Sequence, residues 1–161
     1  MTKINILCIG KLKESYLREA VQEYTKRLSA FCKLNIIELD EYKILDKNPV
    51  KAQIDKCIEE EGKSILSKIP KNSYVVALCI EGKRFSSKEL SSYISELQTN
   101  KTSSICIIIG GSWGLSKEVK GFADLKLSLS DMTFTHQLTR VMVCEQIYRA
   151  FQIMNSGKYH K

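Results

Sequence analysis

The sequence is poor in the residues and patterns that mark metal-bound, secreted and membrane proteins. Its 161 residues include only two prolines, two histidines and one tryptophan. The six cysteines form no CxxC pair, and two histidines are too few to complete a structural zinc site, so we expect no metal. The longest apolar runs, residues 75–80 and 105–109, fall far below the roughly 20 residues needed to cross a bilayer. We therefore interpret them as buried strands.

The amino-terminal segment lacks the pattern of a secretory signal. Residues 4–9 form a short apolar stretch, but no small-residue cleavage site follows it. We therefore expect a cytoplasmic protein whose cysteines stay reduced. Cys8, Cys79 and Cys106 lie inside strand-like apolar runs, where a free thiol behaves as a small hydrophobic residue.

The charge balance is basic and favours a polyanionic partner. Lysine and arginine outnumber aspartate and glutamate by 25 to 18, which gives a net charge of +7. Such a surface suits RNA, but it is equally compatible with non-specific adhesion. The identity of the partner must therefore be inferred from a specific binding site rather than from the net charge.

Strand-like segments alternate with helical patterns along the chain, which predicts an α/β fold. The predicted strands cover residues 4–10, 34–39, 74–80, 105–109 and 125–129, and helical periodicity covers residues 16–28, 50–69 and 137–154. The strands are continuously apolar, as expected when helices cover both faces of a mostly parallel sheet. The length predicts a single domain over residues 1–161.

A loop and a broadly apolar last helix complete the predicted fold. Residues 40–49 are charged and end in proline, so we expect a loop there. The helix at residues 137–154 is apolar over a wide arc and should pack on two surfaces, which we expect to be the sheet and a second subunit.

A glycine-rich turn follows the strand at residues 105–109 and reads GGSWGL. Ligands of open α/β sheets bind at such strand ends, and glycine lets the backbone lie close to a flat ligand. The pattern matches neither the dinucleotide nor the triphosphate signature, and a plain tight turn is an equally good interpretation. Ser116 is placed to cap a following helix.

The same residues offer a hydrolase alternative. Residues 110–114 fit GxSxG, and Asp131 and His136 follow Ser112 in the order of an α/β-hydrolase triad. That motif requires a helix to start at the serine, whereas Trp113 and Gly114 intervene here. A serine hydrolase using Ser112 is therefore the less favoured hypothesis.

A third candidate segment runs from a strand end into the last helix and reads SLSDMTFTHQLTRVMVCEQIYRA. Glu145 and Arg149 are four residues apart with the acid first, the favourable order for a helical ion pair. The functional alternative is that Arg140, Arg149 or both face an RNA phosphate or base. His136, at the helix start, is interpreted as a capping or packing residue.

Several motifs together resemble the RlmH family of SPOUT-class methyltransferases. The motifs GGSWGL, SLSDMTFTHQLTRV, EQIYRA and the terminal YHK stand in that family's order, and the segments INILCIGKLKE and YTKRL resemble its beginning. The resemblance covers nearly the whole chain. It implies a methyltransferase that uses S-adenosylmethionine to methylate N3 of a pseudouridine in 23S ribosomal RNA. It also implies a carboxyl-terminal trefoil knot and a homodimer.

The resemblance further implies roles for individual residues. The S-adenosylmethionine pocket would be lined, largely through backbone groups, by Leu78, Gly110, Leu129, Ser130, Asp131, Met132, Thr133 and Phe134. Activity or RNA binding would involve Glu145, Arg149, Tyr159, His160 and Lys161. Among these, we expect His160 ahead of Glu145 as the base, Tyr159 to stack on the target base, and Arg149 and Lys161 to hold phosphates.

Two positions depart from the family's pattern. Thr135 stands where proline is frequent, and Trp113 is an aromatic residue where the family often has none. Thr135 is expected to affect the rigidity of the loop, and Trp113 is expected to affect access to the pocket. A non-catalytic, RNA-binding SPOUT-like homodimer remains an alternative function.

Overall fold

The computed structural model describes residues 1–156, so Tyr159, His160 and Lys161 lie outside the described residues. Within that range, strands and helices alternate along the chain. In chain order they are β1 (Lys3–Ile9), α1 (Ser15–Leu28), β2 (Lys33–Leu39), α2 (Lys51–Lys68), β3 (Tyr74–Arg84), α3 (Ser87–Thr99), β4 (Ser104–Ile109), α4 (Lys117–Phe122), β5 (Leu125–Ser128) and α5 (His136–Ser156). All five predicted strands are present, and residues 40–49 lie in the connection between β2 and α2.

The strands form one parallel sheet in the order β2-β1-β4-β3-β5. The predicted α/β class and parallel sheet are therefore confirmed. β1 and β4 are central and almost wholly buried. Their uninterrupted apolar sequences follow from this position, because a strand covered on both faces has no side that needs polar residues.

Helices cover both faces of the sheet, as predicted. One core joins α1, α3 and α5 to the sheet and includes Leu17, Ile94 and Ile147. The second core, on the opposite face, joins α2 and α4 to the sheet and includes Ile65 and Val119. No helix in residues 1–156 is long and apolar enough to cross a membrane.

Other parts of the same chain cover much of the wide apolar arc of α5. Ile147 is buried in the core, and Phe151 stacks on Phe31 with ring centroids 5.9 Å apart. α5 also packs along α1 and α3. Neighbouring helices thus cover much of the arc that we assigned to a second subunit, and both the homodimer and the trefoil knot stay predictions.

β3 is longer than predicted because it contains an irregularity next to β5. Its register against β5 jumps between Leu78 and Lys83, both of which pair with Leu127. A Cβ placed on Gly82 would lie 2.6 Å from the backbone of Leu127, so only glycine fits there. The sequence pattern predicted the end of this strand at residue 80, because the extra residues Glu81 to Arg84 are mostly polar and give no apolar signal.

The cysteines are free thiols in the described structure, as predicted. Cys8, Cys32, Cys57, Cys106 and Cys144 are buried, and Cys79 is partly buried. Burial raises the pKa of Cys8 to about 11 and that of Cys106 to about 12. The thiols of Cys8 and Cys106 are therefore expected to stay protonated and unreactive near neutral pH.

Candidate functional site

A cleft of about 760 Å³ opens at the carboxyl ends of three neighbouring strands, β4, β3 and β5. Its walls are the irregular part of β3, the glycine turn after β4 (residues 110–114), and the loop after β5 (residues 128–135). The beginning of α1, with Tyr16 and Leu17, closes a further side. This is the edge at which parallel α/β sheets bind ligands.

The first wall comes from the register jump in β3. Leu78, Cys79 and Ile80 line the cleft there. Beyond Leu78 the chain leaves its regular pairing with β5 and resumes that pairing at Lys83. Gly82, just before this point, packs directly on the β5 backbone. The irregularity thus places three apolar side chains at the site.

The second wall is the glycine turn. The amide of Gly114 donates to the carbonyl oxygen of Gly111 at 3.1 Å, and Gly114 has φ of +86°, which favours glycine. α4 then begins with Ser116 as its N-cap, where the hydroxyl accepts from the amide of Val119 at 3.2 Å. The predicted turn and cap are both confirmed.

The third wall is a loop held by its own hydroxyl groups. Ser128 donates to the carbonyl oxygen of Ser130 at 3.0 Å, and the hydroxyl of Ser130 accepts from the amide of Met132 at 3.0 Å. The hydroxyl of Thr135 accepts from the amide of Leu138 at 3.3 Å and so caps α5. Thr135, where the family often has proline, thus stabilises the start of the helix that follows the loop.

The structure brings together seven of the eight residues expected around the donor. The cleft is lined by Leu78, Gly110, Leu129, Ser130, Met132, Thr133 and Phe134. Asp131 does not line it, because its carboxylate points away and pairs with Arg84 at 2.5 Å. Both partners of that pair are largely exposed, so salt and water weaken their attraction.

Glu145 and Arg149 lie on α5 and do not line the cleft. They form the ion pair that their spacing predicted, with Arg149 Nη2 2.6 Å from Glu145 Oε1. The second carboxylate oxygen of Glu145 accepts from Gln146 at 2.7 Å.

The alternative in which Arg140 faces RNA is wrong. Arg140 is 1% exposed, and its guanidinium donates to Glu38 Oε2 at 2.6 Å and to the carbonyl oxygen of Gly10 at 2.8 Å. The arginine therefore ties α5 to the ends of β1 and β2. Sequence spacing could not show this, because the partners are more than 100 residues away in the chain.

The geometry does not support the serine hydrolase. Within residues 1–156, no hydrogen bond joins Ser112, His136 and Asp131, and α4 begins at Lys117 rather than at the serine. His136 lines the cleft and is partly buried, and that burial lowers its pKa below the ordinary value of 6.5. A neutral imidazole is thus favoured there near pH 7.

Sequence reasoning missed Glu61 on α2. It is 4% exposed, its Oε1 accepts from the thiol of Cys57 at 3.3 Å, and its Oε2 has no hydrogen-bond partner in residues 1–156. Desolvation raises the pKa of this carboxyl above its ordinary range, and the nearby charge of Glu41 adds to the rise. Its position in the sequence EEE gave no signal, because a run of acids normally indicates a solvated helix face.

The chemistry of the cleft is that of a binding site shaped by backbone and apolar groups. In the described part of the chain, no group of three potential metal-ligating side chains occurs. The glycine turn offers backbone without side chains, while Leu78, Ile109 and Phe134 offer apolar surface. Such a lining suits a ligand that combines a flat apolar ring with polar groups.

The fold and this cleft define an α/β protein with an open cleft at the carboxyl ends of its parallel strands, where proteins of this class bind ligands. The family described as "Predicted SPOUT methyltransferase" matches residues 2–160. The chain belongs to the SPOUT methyltransferase family.

Individual relatives agree with this assignment and confirm the resemblance stated from the motifs. Proteins named "Ribosomal RNA large subunit methyltransferase H" from Clostridioides difficile (strain 630) and Clostridium acetobutylicum are each 52% identical to this chain, covering 98% of it and 99% of their own length. A relative of the same name from Clostridium novyi (strain NT) is 51% identical with the same coverage.

A solved structure supports the fold alone. The chain is similar to a "probable methylase family protein" from Haemophilus influenzae Rd KW20, with a TM-score of 0.54 and 13% identity. The similarity covers 98% of this chain and 70% of that one.

Proposed function

We propose that this protein transfers a methyl group from S-adenosylmethionine to N3 of a pseudouridine in 23S ribosomal RNA. The observation that carries the proposal is the cleft at the ends of β4, β3 and β5, where residues of two separate family motifs meet. The names of the relatives, which specify large-subunit ribosomal RNA, support the substrate. The net charge of +7 suits a polyanionic substrate.

The cleft fits the proposed donor in size and in lining. Its volume of about 760 Å³ lies within the range of roughly 300–1,000 Å³ that small-molecule and cofactor sites occupy. Apolar side chains of Leu78 and Phe134 can flank a flat ring, and the glycine turn lets backbone groups approach it. Leu78, Gly110 and residues 129–134 except Asp131 are the donor site in this proposal.

When bound, S-adenosylmethionine supplies a methyl group that is already electrophilic and needs no metal. The work of the protein is then to hold the donor and the target base in line, which can lower a barrier by about 7–11 kcal/mol. The three walls of the cleft, each fixed by local hydrogen bonds or by close backbone contact, provide a rigid frame for this task.

A base is also needed to remove the proton from N3, and we propose His160 for it. Glu145 is the weaker candidate, because its carboxylate oxygens already accept from Arg149 and Gln146. We further propose that Tyr159 stacks on the target base and that Arg149 and Lys161 hold phosphates. His160→Gln tests the base: a single-turnover rate and pH profile equal to those of the wild type would remove His160 from the mechanism.

The function is tested by calorimetric titration with S-adenosylmethionine and by methyl transfer to 23S ribosomal RNA, mapping the modified nucleotide. Donor binding with methylation at N3 is expected. RNA binding without donor binding would establish the non-catalytic alternative, and reaction of Ser112 with a fluorophosphonate would establish the hydrolase. The logarithm of RNA affinity should fall with the logarithm of salt concentration, by about 0.7 for each phosphate contact on a single strand.

We also propose that the protein acts as a homodimer related by a twofold axis. Helices of the same chain cover much of α5, so the second subunit must use what they leave exposed. Sedimentation equilibrium at micromolar concentration tests this. A single species with the mass of one chain would contradict it.

A further inference from the structure

We propose that Glu61 is a positioning residue of the donor site, whose buried carboxyl group lies outside the cleft against the glycine turn (residues 110–114) and holds that turn in place. This inference rests on the proposed function of that cleft. Gly111 lines the cleft and Glu61 does not, so the carboxyl acts on the donor only through the turn. No motif points to this residue.

The contact between Glu61 and the turn is close and involves both carboxyl oxygens. A Cβ placed on Gly111 would lie 2.9 Å from Oε1 and 3.0 Å from Oε2 of Glu61. The carboxyl group therefore lies against the side of Gly111 where any other residue would carry its side chain. A side chain at position 111 would therefore displace either the Glu61 carboxyl group or the turn.

The environment of Glu61 argues against a role in general stability. A buried carboxyl that lacks a full set of partners costs free energy, and replacing it with an apolar side chain is often neutral or stabilising. Oε1 accepts only from the thiol of Cys57, and Oε2 has no partner in residues 1–156. Both oxygens lie beside the turn, and in this proposal Oε2 accepts from a turn amide when the donor is bound.

The neighbouring residues support the same arrangement. Glu59 and Glu60 are on the solvent side of α2 and pair with Lys63. Gly62, directly after Glu61, packs so closely on α4 that a Cβ there would lie 2.4 Å from the hydroxyl of Ser116. α2 thus contacts Gly111 within the turn and Ser116 just beyond it.

The first experiment compares Glu61→Gln, Glu61→Leu and Glu61→Ala with the matched control Glu59→Ala. Calorimetry with S-adenosylhomocysteine measures donor-site affinity, and circular dichroism verifies folding. The leucine and alanine variants should bind about tenfold more weakly, while the glutamine variant, which keeps an oxygen acceptor, and the control should bind nearly as the wild type does. Because the loss is in binding, KM for the donor should rise while kcat at saturating donor and RNA stays close to the wild-type value.

The second experiment is a double-mutant cycle between Gly111→Ala and Glu61→Ala. The added methyl group meets the Glu61 carboxyl, with Ile9 Cγ2 the next contact at 3.2 Å. Gly111→Ala should therefore weaken binding of S-adenosylhomocysteine strongly in the wild type and much less in the Glu61→Ala background. Contacting residues couple in this way, whereas distant ones are additive.

The outcomes separate this inference from the proposed function. Equal affinity of the glutamine and leucine variants, or additive effects in the cycle, would overturn the positioning role. If Glu61→Ala does not fold, the difference in affinity between Glu61→Gln and Glu61→Leu still tests the positioning role. Failure of the wild type to bind the donor would overturn both proposals, whereas normal binding by every variant would overturn only the role of Glu61.

Discussion

Arg140 and Glu38 form an ion pair across the fold, with 2.6 Å between Nη1 and Oε2. The arginine side chain is 2% exposed and that of the glutamate 37%. The pair joins α5 to β2 near the ends of the strands, close to the start of the helix that leaves the cleft. Breaking it should therefore affect the whole fold.

Arg140→Ala should lower the free energy of unfolding by about 3 kcal/mol, because it removes a buried guanidinium that satisfies Glu38 and Gly10. Urea denaturation measures the change. The control is Lys51→Ala, which removes an exposed pair with Asp55 and should leave the midpoint nearly unchanged. Equal effects of the two substitutions would contradict a structural role for Arg140.

Gly62→Ala should destabilise the protein, since the new methyl group would lie 2.4 Å from the hydroxyl of Ser116. Overpacking of this kind costs about 1–3 kcal/mol, and the gain in helix propensity offsets only about 1 kcal/mol. Ser116 cannot move away without losing its cap bond to Val119.

Gly121→Ala is the matched control for that substitution. It also lies in a helix, but among residues 1–156 no other atom is within 4 Å of its added Cβ. It should stabilise the protein by about 0.5–1 kcal/mol. Thermal unfolding of both variants measures the difference in their Tm values. Shifts of Tm in the same direction would show that the contact with Ser116 does not determine the effect of Gly62→Ala.

Cys79 should be the cysteine whose modification blocks the donor. All six cysteines are described, and Cys79 alone lines the cleft. Burial raises its pKa, so alkylation by N-ethylmaleimide should be slow near neutral pH and faster in mild alkali. S-adenosylhomocysteine should slow that alkylation, and Cys79→Ser should abolish its fastest phase. An alkylation rate indifferent to the ligand would place the donor elsewhere.

The pH dependence of stability should carry a contribution from His136. Burial, together with the charges of Arg140 and Lys13, lowers its pKa below 6.5, against the opposing effect of Glu41. The unfolded chain therefore takes up this proton more readily, and the free energy of unfolding should fall as pH falls below about 6.5.

Urea unfolding of the wild type and His136→Gln at several pH values measures this contribution. The variant should lose less stability on acidification than the wild type does. A titration of His136 by NMR at or above its ordinary pKa would contradict the prediction.

Much of the fold was predictable because its strands are buried on both faces. β1 and β4 are central, so their apolar runs had no alternative explanation, and their positions agreed with the structure within a residue or two. The turn and the Ser116 cap were also predictable, because glycine and serine act there through local backbone geometry.

The rest of the site depended on contacts between distant segments. Asp131 stands among donor-site residues in the sequence, yet it pairs with Arg84. Arg140 looked like an RNA ligand and is buried against Glu38. Both outcomes depend on partners that no local pattern identifies.

The sequence by itself determined the α/β class, the location of the strands along the chain, the free thiols and the family, because each depends on local patterns of burial or on motifs. The resemblance implied one pocket for Leu78, Gly110 and residues 129–134, but only the tertiary structure decided that Asp131 pairs with Arg84 outside the cleft. Only the tertiary structure also decided that Glu61 of an acidic run is turned inward against Gly111. The physical reason is that strand order in the sheet, and therefore proximity at its edge, is set by packing among elements far apart in the chain.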